Sequence, residues 1–262
     1  MQDETTNIEV ASERPADGAP HARRLRVTSS GGVATTVHVA RFPVTDVAVD
    51  IVSLSPPQPL AEWCDENGVR EAITAGFFEK DQRVPLGELW IGGSRAEHQH
   101  FATPWNDVRA CLHVDAERLH IGPRPSFGET PGGHLLQAGP LLVSERAAVV
   151  DEHDPEGFSS TAHEFDSDIT DGRYPRAAIA LTEDSILGVA VDGRSDEDTG
   201  LTLAELAQLL VLLDAHSALN LDGGASTALI AGGKLQNTPR SDDGEPLDGA
   251  RPTPTAIVFR GR

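Results

Sequence analysis

"VAVDGRSDEDTGLTLAELAQLLVLLDAHSALNLDGG", residues 189–224, carries the clearest secondary-structure pattern of this chain. The stretch opens and closes with an apolar run that ends in an aspartate followed by glycine. Between these two runs, leucines recur at helical spacing, at Leu203, Leu206, Leu209, Leu210 and Leu213. Thr202 and Glu205 form a capping-box pattern where this periodicity begins. The stretch therefore predicts a strand, a crossover helix and a second strand.

The two aspartates, Asp192 and Asp222, are predicted to meet at one edge of a sheet. A crossover helix makes the strands that it joins parallel, so we expect neighbouring strands whose carboxylates open into one cleft. Ligands commonly bind beyond the carboxyl ends of strands in such folds. The alternative is a tight turn after each strand, because Asp-Gly is also a common turn pair.

The rest of the chain predicts one α+β domain, a mixed central β-sheet flanked by helices. Residues 34–42, 46–54 and 253–260 have the β-branched or alternating composition of strands, and "LAEWCDEN" before Gly68 predicts a short helix. We assign this domain to residues 25–262. Residues 1–24 are polar and lack an apolar core, which predicts a flexible lead-in.

The charge of the chain limits its partners. The 262 residues include 41 acidic and 21 basic side chains, a net charge of −20. Such a surface repels nucleic acid and anionic membranes, and no apolar run is long enough to span a membrane. Solubility or adaptation to salt is the alternative meaning of this charge. A cytoplasmic bacterial protein is expected, or a secreted one if a leader is missing here, and the oligomeric state stays undetermined.

No metal or cofactor is predicted with a defined ligand set. His98 and His100 have the H-x-H spacing that places two imidazoles on one strand face, but no third ligand follows at a recognisable spacing. His153 and His163 lie in an acidic segment that predicts a solvated loop. A divalent cation such as calcium is the alternative there, because hard cations bind carboxylate oxygens. These carboxylates are Asp151, Asp154, Asp166 and Asp168.

Several further segments carry a family resemblance. They are "AITAGFF" (72–78), "PLGELWIGG" (85–93), "QAGPLLV" (137–143), "YPRAAIAL" (174–181) and "GARPTPTAIVF" (249–259). Together with the two Asp-Gly endings, their order resembles the phosphodiester glycosidase family from about Asp46 to Phe259. The resemblance implies cleavage of a sugar that is linked through its anomeric oxygen to phosphate. Thr74-Ala75 stands where that family usually has asparagine, and Ala225 stands where it usually has a third glycine.

The residue types suit this chemistry. Arg176 and Arg194 are predicted to hold the phosphate, because a guanidinium fork matches two phosphate oxygens, although pairing with a surface carboxylate is the alternative. Asp192 and Asp222 are predicted to be catalytic, as base, nucleophile or electrostatic stabiliser of an oxocarbenium-like carbon. The separation of the two carboxylates decides among these roles.

Six further residues are predicted to bind substrate. Gly76 and Phe77 form a sugar platform or, alternatively, pack a strand end. The remaining four, with a turn or a cap as the alternative, are Gly223, Gly224, Ser226 and Thr227.

The predicted function is hydrolysis of a sugar-1-phosphodiester to free sugar and a phosphomonoester, with a small or polymeric glycan phosphodiester as the partner. A glycosidase of ordinary polysaccharide linkages and a non-catalytic module for anionic glycans are the alternatives.

Overall fold

Three β-sheets make up most of the protein. The computed structural model describes residues 8–29, 31–79, 81–116, 118–150, 156–158 and 172–262. The acidic segment with His153 and His163, and with it the calcium alternative, lies outside the described residues. Every pairing between the strands named below is antiparallel.

The largest sheet, sheet I, has eight strands in the order β1-β2-β3-β14-β13-β15-β11-β12. Its strands are β1 (Ile8–Ala16), β2 (Ala19–Ser29), β3 (Ala34–Pro43), β11 (Leu141–Ser144), β12 (Ala147–Ala148), β13 (Arg176–Leu181), β14 (Ser185–Val191) and β15 (Ser217–Asn220). β13 and β14, at the centre of this order, are buried at every position because both of their faces are covered.

Two five-stranded sheets complete the β-structure. Sheet II, in the order β17-β16-β5-β18-β4, contains β4 (Val47–Gln58), β5 (Ala72–Thr74), β16 (Leu229–Ala231), β17 (Lys234–Leu235) and β18 (Thr253–Gly261). Sheet III, in the order β7-β6-β10-β8-β9, contains β6 (Leu89–Ile91), β7 (Ser94–Arg95), β8 (Ala110–Val114), β9 (Leu119–Pro123) and β10 (His134–Gln137). Two α-helices, α1 (Leu60–Asn67) and α2 (Leu203–Leu212), lie in the described residues, with 3₁₀ turns at Trp105–Asp107, Arg124–Ser126 and Gly224–Ser226.

Three apolar clusters hold these elements together in layers. The main cluster joins one face of sheet I to sheets II and III, with Ile179 and Ile257 among its fully buried members. A second cluster packs α2 against the opposite face of sheet I, and a third packs α1 against sheet II. The order of layers is therefore α2, sheet I, sheets II and III, and α1.

Helix α2 forms as its sequence predicts. The Thr202 side chain accepts a hydrogen bond from the Glu205 backbone N–H at 3.1 Å, and the Glu205 carboxylate accepts one from the Thr202 N–H at 2.9 Å. This reciprocal pair is the capping box, which supplies two backbone donors of the first turn with acceptors. Leu206, Leu209 and Leu210 are then fully buried against sheet I.

The predicted fold class is wrong. In place of a mixed central sheet flanked by helices, the described residues form three antiparallel sheets with two helices. Many strands here have only two to five residues, as in β5–β7 and β15–β17. Such lengths give no readable period of two, so the one long helical pattern dominated the interpretation.

Residues 8–24 also differ from the predicted flexible lead-in, because they form β1 and the first part of β2. β1 is an edge strand in which Ile8 alone is buried. A strand with so little burial reads as polar, and backbone pairing rather than side-chain burial holds it in the sheet. No helix in the described part of the chain is long and apolar enough to cross a membrane.

Candidate active site

The predicted aspartates lie at one edge of sheet I. β14 and β15 are both antiparallel to β13, so they run parallel to each other as predicted. They are not neighbours, and this part of the prediction is wrong: β13 lies between them and begins at Arg176, where its two neighbours end. Two strand spacings separate Asp192 from Asp222, about 9.5 Å between strand axes. Arg176 therefore enters the sheet between the two carboxylates.

The glycines that follow the aspartates allow this close approach. A Cβ on Gly193 would lie 2.8 Å from Pro175 N, and a Cβ on Gly223 would lie 2.8 Å from Pro175 O. Gly224 adds a backbone hydrogen bond from its N–H to the same Pro175 oxygen, at 2.9 Å. The two Asp-Gly endings thus pack against opposite sides of Pro175, the residue just before β13.

Gly223→Ala should lower the free energy of unfolding by about 1–3 kcal/mol, the usual cost of overpacking. Its φ of −104° is open to any residue, so the cost comes from the clash with Pro175 alone. Chemical denaturation measures the effect. Gly128→Ala is the matched control, since no heavy atom lies within 4 Å of an added Cβ there. Equal midpoints for the two variants would contradict this packing against Pro175.

Asp192 is anchored through both carboxylate oxygens. Its Oδ2 lies 2.8 Å from His38 Nε2, and its Oδ1 accepts the Thr238 backbone N–H at 2.7 Å. Because a carboxylate only accepts, the imidazole of His38 donates in this bond. Asp192 and His38 are 6% and 5% exposed, so the pair is almost removed from solvent. Asp192 therefore ties the end of β14 to β3 and to the segment after β17.

Asp222 has a different environment. Its residue is half-buried, and its backbone N–H donates to Ala75 O at 2.9 Å, which links the end of β15 to the strand end of sheet II. Gly223 then leads into the three-residue 3₁₀ turn Gly224–Ser226, which starts at Gly224 with a φ of +57°. Asp222 is consequently the less buried of the two predicted catalytic residues, although its Oδ2 is itself buried.

The two hydroxyl residues at the end of this turn, Ser226 and Thr227, do not cap the segment that follows. Ser226 Oγ and Thr227 Oγ1 are buried, and neither has a hydrogen-bond partner in the described part of the chain. The turn itself carries no side-chain cap. The capping alternative for Ser226 and Thr227 therefore finds no support, and their role as substrate donors stays a prediction.

The two departures from the family pattern are absorbed by local packing. Thr74 Oγ1 donates to Ser226 O at 2.6 Å, and the Thr74 N–H donates to Ala228 O at 3.0 Å. Ala225 is 2% exposed, so its methyl group points away from solvent. Thr74 thus fixes sheet II to the glycine turn beside Asp222.

Gly76 and Phe77 pack the strand end, as their alternative interpretation holds. Phe77 is 3% exposed, and its ring centroid lies 6.4 Å from that of Phe101 and 6.0 Å from that of Phe158. A Cβ on Gly76 would lie 3.0 Å from a methyl group of Leu136. A ring buried in this way presents no platform to a sugar, which corrects the prediction for Phe77.

The two predicted arginines both lie close to the ring of Tyr174. The guanidinium carbons of Arg176 and Arg194 lie 5.6 and 5.8 Å from the ring centroid of Tyr174. Arg176 is 2% exposed and donates to Leu201 O at 3.1 Å and to Gly172 O at 3.2 Å. The Arg194 side chain is 11% exposed. Positive charge is therefore concentrated beside the end of β14.

His38 and Tyr174 belong to this group of residues, although no motif in the sequence assigns them to it. His38 alternates with valines in β3, and this inward position of a histidine is the signal that could have indicated it. Tyr174 immediately precedes the proline that the two Asp-Gly endings pack against.

The H-x-H pair shows no metal-binding geometry in the described residues. His98 Nδ1 lies 2.8 Å from Ala96 O, and His100 Nε2 lies 2.9 Å from Arg95 Nη2. Burial lowers the pKa of His98. Within the described ranges, no three His, Cys, Asp or Glu side chains are grouped so that they could hold a metal ion.

A large open cavity of about 940 Å³ lies away from these residues. It is lined by the end of β13 at Leu181 and the start of β14 at Ile186, which is the opposite edge of sheet I. Asp50, His134 and Arg118 supply polar groups. Neither Asp192 nor Asp222 lines it, so its size does not identify the catalytic position.

Comparisons with known proteins identify the family of this chain. The sequence matches the phosphodiester glycosidase family, a family of glycosidases that act on phosphodiesters, over residues 67–260. Because the match extends over most of the chain, the chain belongs to the phosphodiester glycosidase family. The resemblance deduced from its motifs is thereby confirmed.

Individual proteins of known structure or activity share less than a quarter of their aligned residues with this chain. N-acetylglucosamine-1-phosphodiester alpha-N-acetylglucosaminidase from Bos taurus is 24% identical over 188 residues, which are 68% of this chain but only 34% of the bovine protein. The catalytic domain of the zebrafish enzyme of the same name, auto-inhibited by its pro-peptide, has a similar fold with a TM-score of 0.69 at 18% identity, covering 98% of this chain and 89% of that one. A hypothetical protein from Synechocystis has a TM-score of 0.60 at 19% identity, covering 92% and 62%.

Proposed function

We propose that this protein hydrolyses the glycosidic bond of a sugar-1-phosphodiester, releasing free sugar and a phosphomonoester. The supporting observation is that Asp192, Asp222, Arg176 and Arg194 converge on one edge of sheet I in a chain of the phosphodiester glycosidase family. Phosphate bound by cationic groups beside an accessible carboxylate is the arrangement that this bond cleavage requires.

The two carboxylates take different roles. Asp222 acts at the sugar, as the base for water or as the stabiliser of positive charge on the anomeric carbon, because it is the less buried of the two residues. Asp192 acts as a positioning residue, since His38 and Thr238 already engage both of its oxygens. A phosphate monoester leaves readily, so one acting carboxylate suffices without a strong general acid.

Arg194 binds the phosphate of the substrate. The effect of replacing Arg194 on kcat/KM should therefore depend on whether the substrate carries a phosphate charge. Arg194→Gln should lower kcat/KM for a sugar-1-phosphodiester about 10- to 100-fold, the value of a hydrogen bond to a charged group. Turnover of a neutral aryl glycoside by the same variant should change little. Parallel kinetics on the two substrates measure this difference, and equal losses on both would assign Arg194 a structural role.

A panel of sugar-1-phosphodiesters, scored for released free sugar, tests the proposed reaction directly. Release from phosphodiesters but not from neutral glycosides supports it. Faster release from neutral glycosides favours an ordinary glycosidase. Binding of a non-hydrolysable phosphonate analogue with no turnover of any diester favours the non-catalytic module.

A further inference from the structure

An exposed carboxylate joins two arginines beside the candidate active site. Asp242 Oδ1 lies 3.0 Å from Arg194 Nη2, and Asp242 Oδ2 lies 3.2 Å from Arg251 Nη2. The second contact is a forked one, because the same Arg251 nitrogen lies 3.4 Å from Asp242 Oδ1. One carboxylate thus lies between two guanidinium groups.

The two arginines belong to the segments that follow the two aspartates. Arg194 is the second residue after Asp192. The backbone N–H of Arg251 donates to Ala225 O at 2.9 Å, which fixes Arg251 to the glycine turn after Asp222. The pair therefore spans the gap between the ends of β14 and β15, where the proposed function places the substrate.

The side chain of Asp242 is more exposed to solvent than the two arginine side chains that it joins. Its side chain is 60% exposed, whereas those of Arg194 and Arg251 are 11% and 27% exposed. It lies in the tight turn from Ser241 to Gly244, which the Gly244 N–H closes by donating to Ser241 O at 3.0 Å. An ion pair of so exposed a carboxylate is weak, so a competing anion can replace it.

We propose that Asp242 occupies an anion site that the substrate's phosphodiester takes when it binds, and that Arg251 is a further phosphate-binding residue. This inference rests on the proposed function. Two guanidinium groups present several N–H donors to one anion, and phosphate oxygens match that geometry at least as well as a carboxylate does. Asp242 then acts as an internal counterion, which lowers the affinity for phosphate and excludes weakly bound anions.

Asp242→Asn tests this, because it keeps the size of the side chain and removes the competing charge. The dissociation constant for inorganic phosphate, measured by calorimetry on the whole chain, should fall about three- to tenfold, as expected for losing two exposed ion pairs. KM for a diester substrate should fall by a similar factor while kcat is unchanged. Arg251→Lys, which keeps the charge but loses the fork, should weaken phosphate binding.

Asp243→Asn is the matched control. Asp243 is the next residue, is exposed, and has no ion pair with a described residue, so its loss changes net charge equally without touching the arginines. Equal phosphate affinity in the two variants, or weaker binding by Asp242→Asn, overturns the inference. So does a complete lack of phosphate binding by the wild type and both variants. Tighter phosphate binding without hydrolysis of any diester supports the anion site and overturns the proposed function alone.

Discussion

Asp222→Asn should lower kcat on a sugar-1-phosphodiester by about 10²–10³-fold, the loss typical of one preorganised electrostatic group. Asparagine keeps the size and the hydrogen-bonding outline of the side chain but cannot balance positive charge on the anomeric carbon. The backbone N–H of residue 222 still reaches Ala75 O, so the turn should be retained. Steady-state kinetics measure the effect, and circular dichroism checks the fold.

Asp248→Asn is the matched control for this change. Asp248 also precedes a glycine, Gly249, and it is exposed on the segment before β18. It should leave kcat unchanged. Binding of a non-hydrolysable phosphonate analogue should survive in Asp222→Asn, because the arginines are intact. A kcat within a factor of about three of the wild type would exclude Asp222 from the chemistry, since an electrostatic group of this kind is worth far more.

Asp192→Ala should lower the free energy of unfolding by about 2–4 kcal/mol. The change removes the acceptor of two donors, the His38 imidazole and the Thr238 backbone N–H, and each buried unsatisfied donor costs about 1–2 kcal/mol, in the lower part of the usual range, because a neutral imidazole can turn to another partner. Asp192→Asn should cost less, because its side-chain oxygen still accepts one bond and a neutral imidazole can accept from its amide. Urea denaturation measures both values.

Asp243→Ala serves as the reference for this second prediction. As an exposed residue, it should change stability by less than about 0.5 kcal/mol. If Asp192→Ala is as stable as this reference, the bond between Asp192 and His38 does not contribute measurably to the free energy of unfolding. That result would favour a catalytic role for Asp192 beside Asp222.

These two predictions separate carboxylates that look identical in the sequence. Each follows an apolar strand and precedes glycine, yet one is bonded through both oxygens and nearly buried, and the other is less buried. The bond between His38 and Asp192 joins residues 154 positions apart. No local pattern reports such a contact, which is why the sequence assigned both aspartates the same role.

Local patterns in the sequence are enough to predict the unit from β14 through α2 to β15, the shared edge of the sheet at which Asp192 and Asp222 lie, and the family. Each depends on local signals: helical periodicity, a capping box four residues long, and motifs in a fixed order. Only the tertiary structure placed β13 between the two strands, buried Phe77 and paired Arg194 with Asp242. Strand neighbours, side-chain burial and ion pairs depend on contacts between distant parts of the chain, and the free energy of those contacts is not encoded in any short stretch.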